Sequence, residues 1–300
     1  MGLMLEADEL LNEAIMSETP ILIVEGIDDI RVYEDVSKNI GKEVVVYAAE
    51  NIDGVSEGCR GVINCIEKIR NSANGIIVDR YVLGIIDRDT RCYRNEKPED
   101  SAILLLNWYS MESHFITNEA TGYIVRSITR ATGNLLSKEL IDSIHKTIQD
   151  HLFNLYLISL DALKGACDSN YESSVKYAMS IGEIKGRDLF KDVFMKEDEL
   201  NKFALEMGIE KNWDNLLKVC KGKWIFIEYC NQLKEYVSNL KEMCEKGNIS
   251  QCQFCITHTF EKCLYKTRSS YNEGQLQELI MNNVSLGDFN YLESRLLQLI

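Results

Sequence analysis

The chain has 300 residues, 47 of them acidic and 33 basic, for a net charge of −14. With 45% apolar residues and two prolines, it is not a disordered chain, a collagen-like repeat or a Pro-rich linker. The negative balance argues against a protein that coats nucleic acid by bulk charge, although the charge is uneven: residues 1–60 hold 14 acids and 4 bases, net −10.

The first third alternates strand-like and helix-like segments. Leu5 to Met16 sets Leu10, Leu11, Ala14 and Ile15 on one helical face. Pro20 to Val24 is a continuous apolar run ending at Glu25-Gly26, as expected of a strand buried on both faces. A helix over Ile27–Asn39, a strand over Val44–Tyr47 and a helix over Arg60–Arg70 follow. Tyr81–Ile86 reads as a third strand, ending at Asp87, and Ala102–Leu106 as a fourth. Strands separated by helices predict a parallel sheet with crossover helices. Beyond about Tyr109 the pattern turns helical. Ser137 is placed to cap a long helix with Leu140, Ile141, Ile144, Ile148, Leu152 and Leu155 as its stripe. Further helical patterns cover Asp188–Met207, Trp224–Cys244, Gln275–Met281 and Phe289–Leu299. The expected fold class is α/β plus all-α: an α/β domain over residues 1–120, then a helical domain over 121–300.

The acids of the first seventeen residues are foreign to signal and transit peptides, and no apolar stretch is long enough to span a bilayer. The expectation is a cytoplasmic protein with no membrane contact. Ten cysteines then point to free thiols or metal ligands rather than disulfides.

Two separate strands end in carboxylates: Glu25 with Asp28 and Asp29, and Asp87 with Asp89. Ligands of open parallel sheets sit beyond the carboxyl ends of the strands, so these groups are expected to converge although 62 residues separate Glu25 from Asp87. Converging carboxylates repel unless protons or a cation join them, and Mg²⁺, or Mn²⁺, is the natural hard ion for such oxygens. Glu112, opening the next helix, can add another ligand. Solvated acids in turns are the plainer explanation for either cluster taken alone. Arg88, Arg91, Arg94 and Lys97 flank the Asp87/Asp89 pair and can hold phosphate; Lys223, beside Lys221, is a more distant candidate. An ordinary solvated loop is the competing reading of that basic stretch.

The wording Val24-Glu25-Gly26-Ile27-Asp28-Asp29-Ile30, then Ile86-Asp87-Arg88-Asp89, then Tyr109-Ser110-Met111-Glu112-Ser113 resembles TOPRIM domains. More narrowly it is similar to the TOPRIM-like proteins found beside ABC-type ATPases in bacterial defence loci, including the nuclease effectors of PARIS-type anti-phage systems, and to the overcoming-lysogenization-defect nucleases. The resemblance covers residues 18–120. It implies a divalent-metal phosphodiesterase in which Glu25 is the general acid/base or a metal ligand and Asp87 and Asp89 are metal ligands. It further implies Glu112 as an auxiliary ligand, and Asp28 or Asp29 as the second acid of the first motif. It also implies an ATPase partner that holds the effector inactive until a phage protein triggers release. The freed homodimer would then cleave RNA, with tRNA the target. This chain carries no G-x-x-x-x-G-K-[ST] P-loop, so it does not supply the ATPase itself. The basic stretch after Asp89 departs from the short turn of the broader family.

Asp87-Arg88-Asp89-Thr90 also partly matches the D-x-D-x-T motif of haloacid-dehalogenase-like phosphatases, with Thr90 one position early and on a later strand than that motif occupies. A non-catalytic binding subunit, its acids solvated or holding a structural ion, is the other alternative. Cys244, Cys252, Cys255, His258 and Cys263 are compatible with tetrahedral zinc, but a single CxxC in a helix-like segment favours buried structural thiols. The acids Glu6, Asp8, Glu9 and Glu13 have no expected catalytic use, and their face is expected to dock on a basic partner surface.

Overall fold

The computed structural model describes residues 5–300, and its contacts divide the chain into two compact units: residues 1–111 with 288–300, and residues 112–287.

The first unit is built on a parallel sheet. Its elements are α1 (Ala7–Ser17), β1 (Ile21–Val24), α2 (Ile27–Asn39), β2 (Val45–Ala48), α3 (Gly58–Ser72), β3 (Val82–Ile86) and β4 (Ile103–Leu105), with α14 (Asn290–Leu296) added from the C-terminus. The strand order is β2-β1-β3-β4, all pairs parallel. The two unbroken apolar runs, β1 and β3, are the inner strands, buried at every position, while β2 alternates as an edge strand does. Side chains from β1 and β3 alternate between faces. Ile21, Ile23, Val82 and Ile86 join a core with Leu10, Leu11 and Ala14 of α1 and Val62, Ile66 and Ile69 of α3. On α2, Val32, Tyr33 and Val36 are buried, and the helix packs against β1 and β2. All four expected strands are present, each within one or two residues of its expected limits.

The C-terminal segment departs from the expected division, which gave all of 121–300 to the helical domain. Its Leu292, Leu296 and Leu299 are buried, and α14 finds cover against α2 in the sheet unit. Polar ties fix it there. Arg295 donates to the Asp79 carbonyl at 2.8 Å, Ile300 N–H to the Arg80 carbonyl at 2.9 Å, and Lys42 Nζ to the Leu299 carbonyl at 3.0 Å.

The second unit is helical: α4 (Asn118–Ile128), α5 (Lys138–Leu152), α6 (Leu155–Cys167), α7 (Ile181–Gly186), α8 (Leu189–Phe194), α9 (Glu197–Glu206), α10 (Trp213–Val219), α11 (Gly222–Glu245), α12 (Gln253–Ile256) and α13 (Glu273–Met281). Ser137 Oγ accepts the Leu140 N–H at 3.3 Å, the expected cap of α5. The stripe read through Leu155 as one helix is broken at Phe153-Asn154, and the apolar run Leu155–Leu160 begins the separate, almost wholly buried α6. The 188–207 pattern likewise splits, at Met195-Lys196, into α8 and α9. A buried carboxylate, Asp161, is held inside α6 by the Tyr171 hydroxyl at 2.6 Å, the Val175 N–H at 2.7 Å and Lys196 at 3.3 Å, as a charge out of water requires. Trp224 is core, donating to the Met179 carbonyl at 2.8 Å. Among the described residues no helix is long and apolar enough to cross a membrane.

Gly61 lets the first turns of α3 approach the preceding loop: a Cβ there would lie 1.7 Å from the Ser56 carbonyl oxygen. Gly61→Ala is expected to destabilise the protein by about 1–3 kcal/mol, read as a lower urea midpoint. Gly133→Ala, with nothing within 4 Å of its added carbon, should leave the midpoint in place.

Candidate active site

The acids singled out in the sequence follow the two inner strands. Glu25 comes directly after β1 and Asp87 directly after β3. Because β1 and β3 are adjacent and parallel, their carboxyl ends lie side by side. One contact joins them: the Asp87 backbone N–H donates to Glu25 Oε1 at 2.9 Å. Gly26 opens α2, and its N–H donates back to Asp29 Oδ2 at 3.3 Å, which places Asp29 in the first turn beside Glu25. Asp28 projects from the same turn and is exposed. Asp89 has φ +45°, in the left-handed region, and its N–H donates to the Tyr109 carbonyl at 3.0 Å.

A loop from the other side of β1 completes the wall. The Gly58 N–H donates to the Glu25 carbonyl at 3.1 Å. Gly58 has φ +74°, a conformation that side chains resist, and its Cα faces the carboxyl: a Cβ there would lie 4.0 Å from Glu25 Oε2.

The Glu25 carboxyl is strongly perturbed. Burial pushes its carboxyl up to about 7; the Asp87 N–H opposes the rise, Asp89 and Asp29 add to it, and the Arg91 guanidinium opposes it. A carboxyl in that range changes protonation near neutral pH, as a group that takes and returns a proton must.

The basic stretch after Asp89 forms a loop with a 3-10 turn over Arg91–Tyr93. Arg88 and Arg91 are partly buried, and the Nε atom of each is buried without a hydrogen-bond acceptor. Arg94 pairs with Glu96 at 2.5 Å, and Lys97 is exposed. Glu112, in the 3-10 turn Met111–Phe115, and Lys223, exposed on the first turn of α11, belong to the second unit, so the first unit's geometry does not include them.

Three neighbours of the acids have no role assigned from the sequence: Tyr33, Tyr291, and Cys59, whose i,i+6 spacing from Cys65 suits no shared helix face. Tyr33 is buried one helical turn after Asp29, and burial followed by the charges of Asp29 and Asp87 holds its hydroxyl well above the usual range. The i,i+4 spacing from Asp29 was the available signal. Cys59, in the first turn of α3, is pushed up to about 12 by burial, with Arg91 opposing and Glu25, Asp89 and Asp87 adding, so it stays a thiol. Tyr291 of α14 accepts the Asn107 N–H at 3.1 Å, and its hydroxyl is raised by burial first and by Asp288 and Asp87. No local pattern announces a group arriving from the far end of the chain.

The cysteine candidates lie in the second unit. Among the described residues, the Sγ atoms of Cys244, Cys252, Cys255 and Cys263 form a set of four possible metal-ligating atoms, all within 4.8 Å of one another. His258, expected as a possible fifth member, is outside the set. The helix-like reading of this segment is also corrected: α11 ends at Glu245, and only the single turn α12 follows before the 3-10 turn Phe260–Lys262.

No protein-family model and no curated protein matches the chain.

The raised affinity of Glu25 for its proton has a sign. The folded chain binds that proton more tightly than the unfolded chain, so Glu25 makes stability fall as pH rises from about 4.5 to about 7. Urea denaturation across that window in divalent-free buffer should show a smaller loss in Glu25→Gln than in the wild type. An identical pH profile in the two proteins would refute the perturbed carboxyl.

Proposed function

We propose that the protein is a divalent-metal-dependent phosphodiesterase of TOPRIM type that cleaves RNA. The observation that carries this reading is the contact of Glu25 with the Asp87 N–H, which joins two acidic strand ends into one group with Asp29 and Asp89.

The donor set fits Mg²⁺ or Mn²⁺. It consists of hard oxygens, it includes a carboxyl whose charge is disfavoured by burial and by neighbouring acids, and Mg²⁺ is commonly held by one or two carboxylates with water completing its shell. Asp87 and Asp89 would hold the ion, with Glu25 beside them and Asp29 or Asp28 supporting; Glu112 remains an auxiliary ligand by resemblance alone. When bound, the ion supplies charge neutralisation at the phosphodiester and a more acidic water. Glu25, poised near neutrality, accepts a proton from the attacking hydroxyl or water and can return it to the leaving oxygen. Arg88 and Arg91, partly buried in the loop after Asp89, would bring guanidinium charge to a phosphate held beside the acids. Arg94 and Lys97 extend that basic edge outward.

The resemblance alone, with no contact in this chain, supports the remaining parts of the reading: an anti-phage effector, an ABC-type ATPase partner, a phage trigger, tRNA as the RNA and a homodimeric active form. The acids expected to dock that partner already have local duties in part. Glu9 accepts the Glu6 N–H at 2.8 Å at the start of α1, and Glu13 accepts the Tyr47 hydroxyl at 3.1 Å. Asp8 and Glu6 stay exposed for a partner.

Incubation of the full chain with total cellular RNA and Mg²⁺, followed by sequencing of the new ends, tests the reading. Cleavage is expected, abolished by chelation of the ion and reduced roughly 10²–10⁴-fold in Glu25→Gln. Arg91→Ala should raise KM more than it lowers kcat. Undiminished cleavage by a folded Glu25→Gln protein would refute the assignment, and phosphate release from monoesters without RNA cleavage would favour the phosphatase alternative.

A further inference from the structure

The segment from Lys246 to Asn272 is poor in the usual sources of order. It holds one single-turn α-helix and one 3-10 turn, and its buried side chains are Cys252, Cys255, Cys263 and Tyr265. Twenty-seven residues with one buried aromatic and three buried thiols do not make a core. The thiols stand where the core would be, and they stand together with a fourth, Cys244, from the last turn of α11.

The four sulfurs lie within 4.8 Å of one another, with Cys252 Sγ 4.0 Å from Cys263 Sγ. A tetrahedral Zn–S₄ site, with bonds of about 2.3 Å, sets its sulfurs roughly 3.8 Å apart, so the observed cluster needs only small side-chain adjustments to close on an ion. A four-iron cluster would place its iron–sulfide core between the thiolates and spread them farther than this. Backbone donors already face the sulfurs. The Cys252 N–H points to Cys244 Sγ at 3.3 Å, and the Leu264 N–H to Cys252 Sγ at 3.5 Å. Such N–H···S contacts disperse the negative charge that four thiolates carry and orient them toward a metal. No disulfide consumes any of the four.

We propose that Cys244, Cys252, Cys255 and Cys263 hold one structural Zn²⁺. Binding releases the thiol protons to solvent, and four protein ligands leave no open position for chemistry. The ion ties the 246–272 segment to the end of α11. That segment in turn is hydrogen-bonded to the chain after α4. The Arg130 N–H donates to the Leu264 carbonyl at 2.9 Å, the Arg268 N–H to the Ile128 carbonyl at 2.8 Å, and the Tyr265 hydroxyl to the Leu135 carbonyl at 2.7 Å. The zinc is therefore the staple that holds this corner of the helical unit, and the proposal is independent of the reading of the strand-end acids.

Elemental analysis of the full chain, purified without chelator or polyhistidine tag, tests it. One zinc per chain is expected, lost in Cys255→Ser and Cys263→Ser and kept in Cys167→Ser, a cysteine outside the cluster. Because the cluster variants can fail by unfolding, the wild-type protein provides a second readout. Exchange of zinc for Co²⁺ should give the thiolate charge-transfer band and the intense d–d bands of a tetrahedral S₄ site. Three results would each overturn the proposal: wild-type protein that takes up neither Zn²⁺ nor Co²⁺ after reduction, iron recovered in place of zinc, or a Cys252–Cys263 disulfide in the reduced preparation.

Discussion

A single hydrogen bond between two strand ends organises the sheet unit's chemistry. The Asp87 N–H reaches Glu25 Oε1 at 2.9 Å, and it does so because β1 and β3 pair in parallel with Ile23 opposite Gly84. The pairing delivers both chains to the same edge of the sheet, where backbone N–H groups of the following turns are free of ladder partners. Glu25 uses one of them, and in return is held away from water. That burial raises its proton affinity, while the hydrogen bond limits the rise by favouring the charged form. The opposition leaves a carboxyl that responds to pH and to added charge in the neutral range. Any cation entering the group therefore meets a site in which ionising Glu25 is already costly without it.

Several groups surround that arrangement. Gly58 carries the α3 loop past the Glu25 carboxyl without a Cβ, and Asp29 caps the turn that Gly26 opens. Tyr33 and Tyr291 add buried hydroxyls near Asp87, one from α2 and one from the C-terminal helix. The return of residues 288–300 to the sheet unit is thus part of the site's surroundings as well as of the core.

The inner strands were legible because burial on both faces leaves an unbroken apolar run, and each run ends in acids that no core would keep. The convergence of their acids was expected too, since ligands of an open parallel sheet sit beyond the carboxyl ends of its strands, but that the two strands are neighbours came from the structure. Sequence could not show that Glu25 receives the Asp87 N–H, or that Cys59, Gly58 and Tyr291 stand nearby, because these depend on loops and on contacts across as many as 184 residues. In the helical unit the periodicity marked apolar faces but not their breaks. Phe153-Asn154 and Met195-Lys196 interrupt stripes that continue in sequence on either side. The cysteines were the sharpest case. A CxxC with two distant partners reads as buried thiols when the segment is taken for helix, and as a cluster once α11 ends at Glu245 and the chain folds back.

Anomalous scattering from crystals of the wild-type chain soaked in Mn²⁺ tests whether the strand-end acids form one cation site. A peak is expected at the carboxyl ends of β1 and β3, in contact with Asp87 or Asp89 and beside Glu25, and it should disappear in Asp87→Asn crystals. Mn²⁺ bound only elsewhere, or a peak at the strand ends that persists in Asp87→Asn, would contradict it.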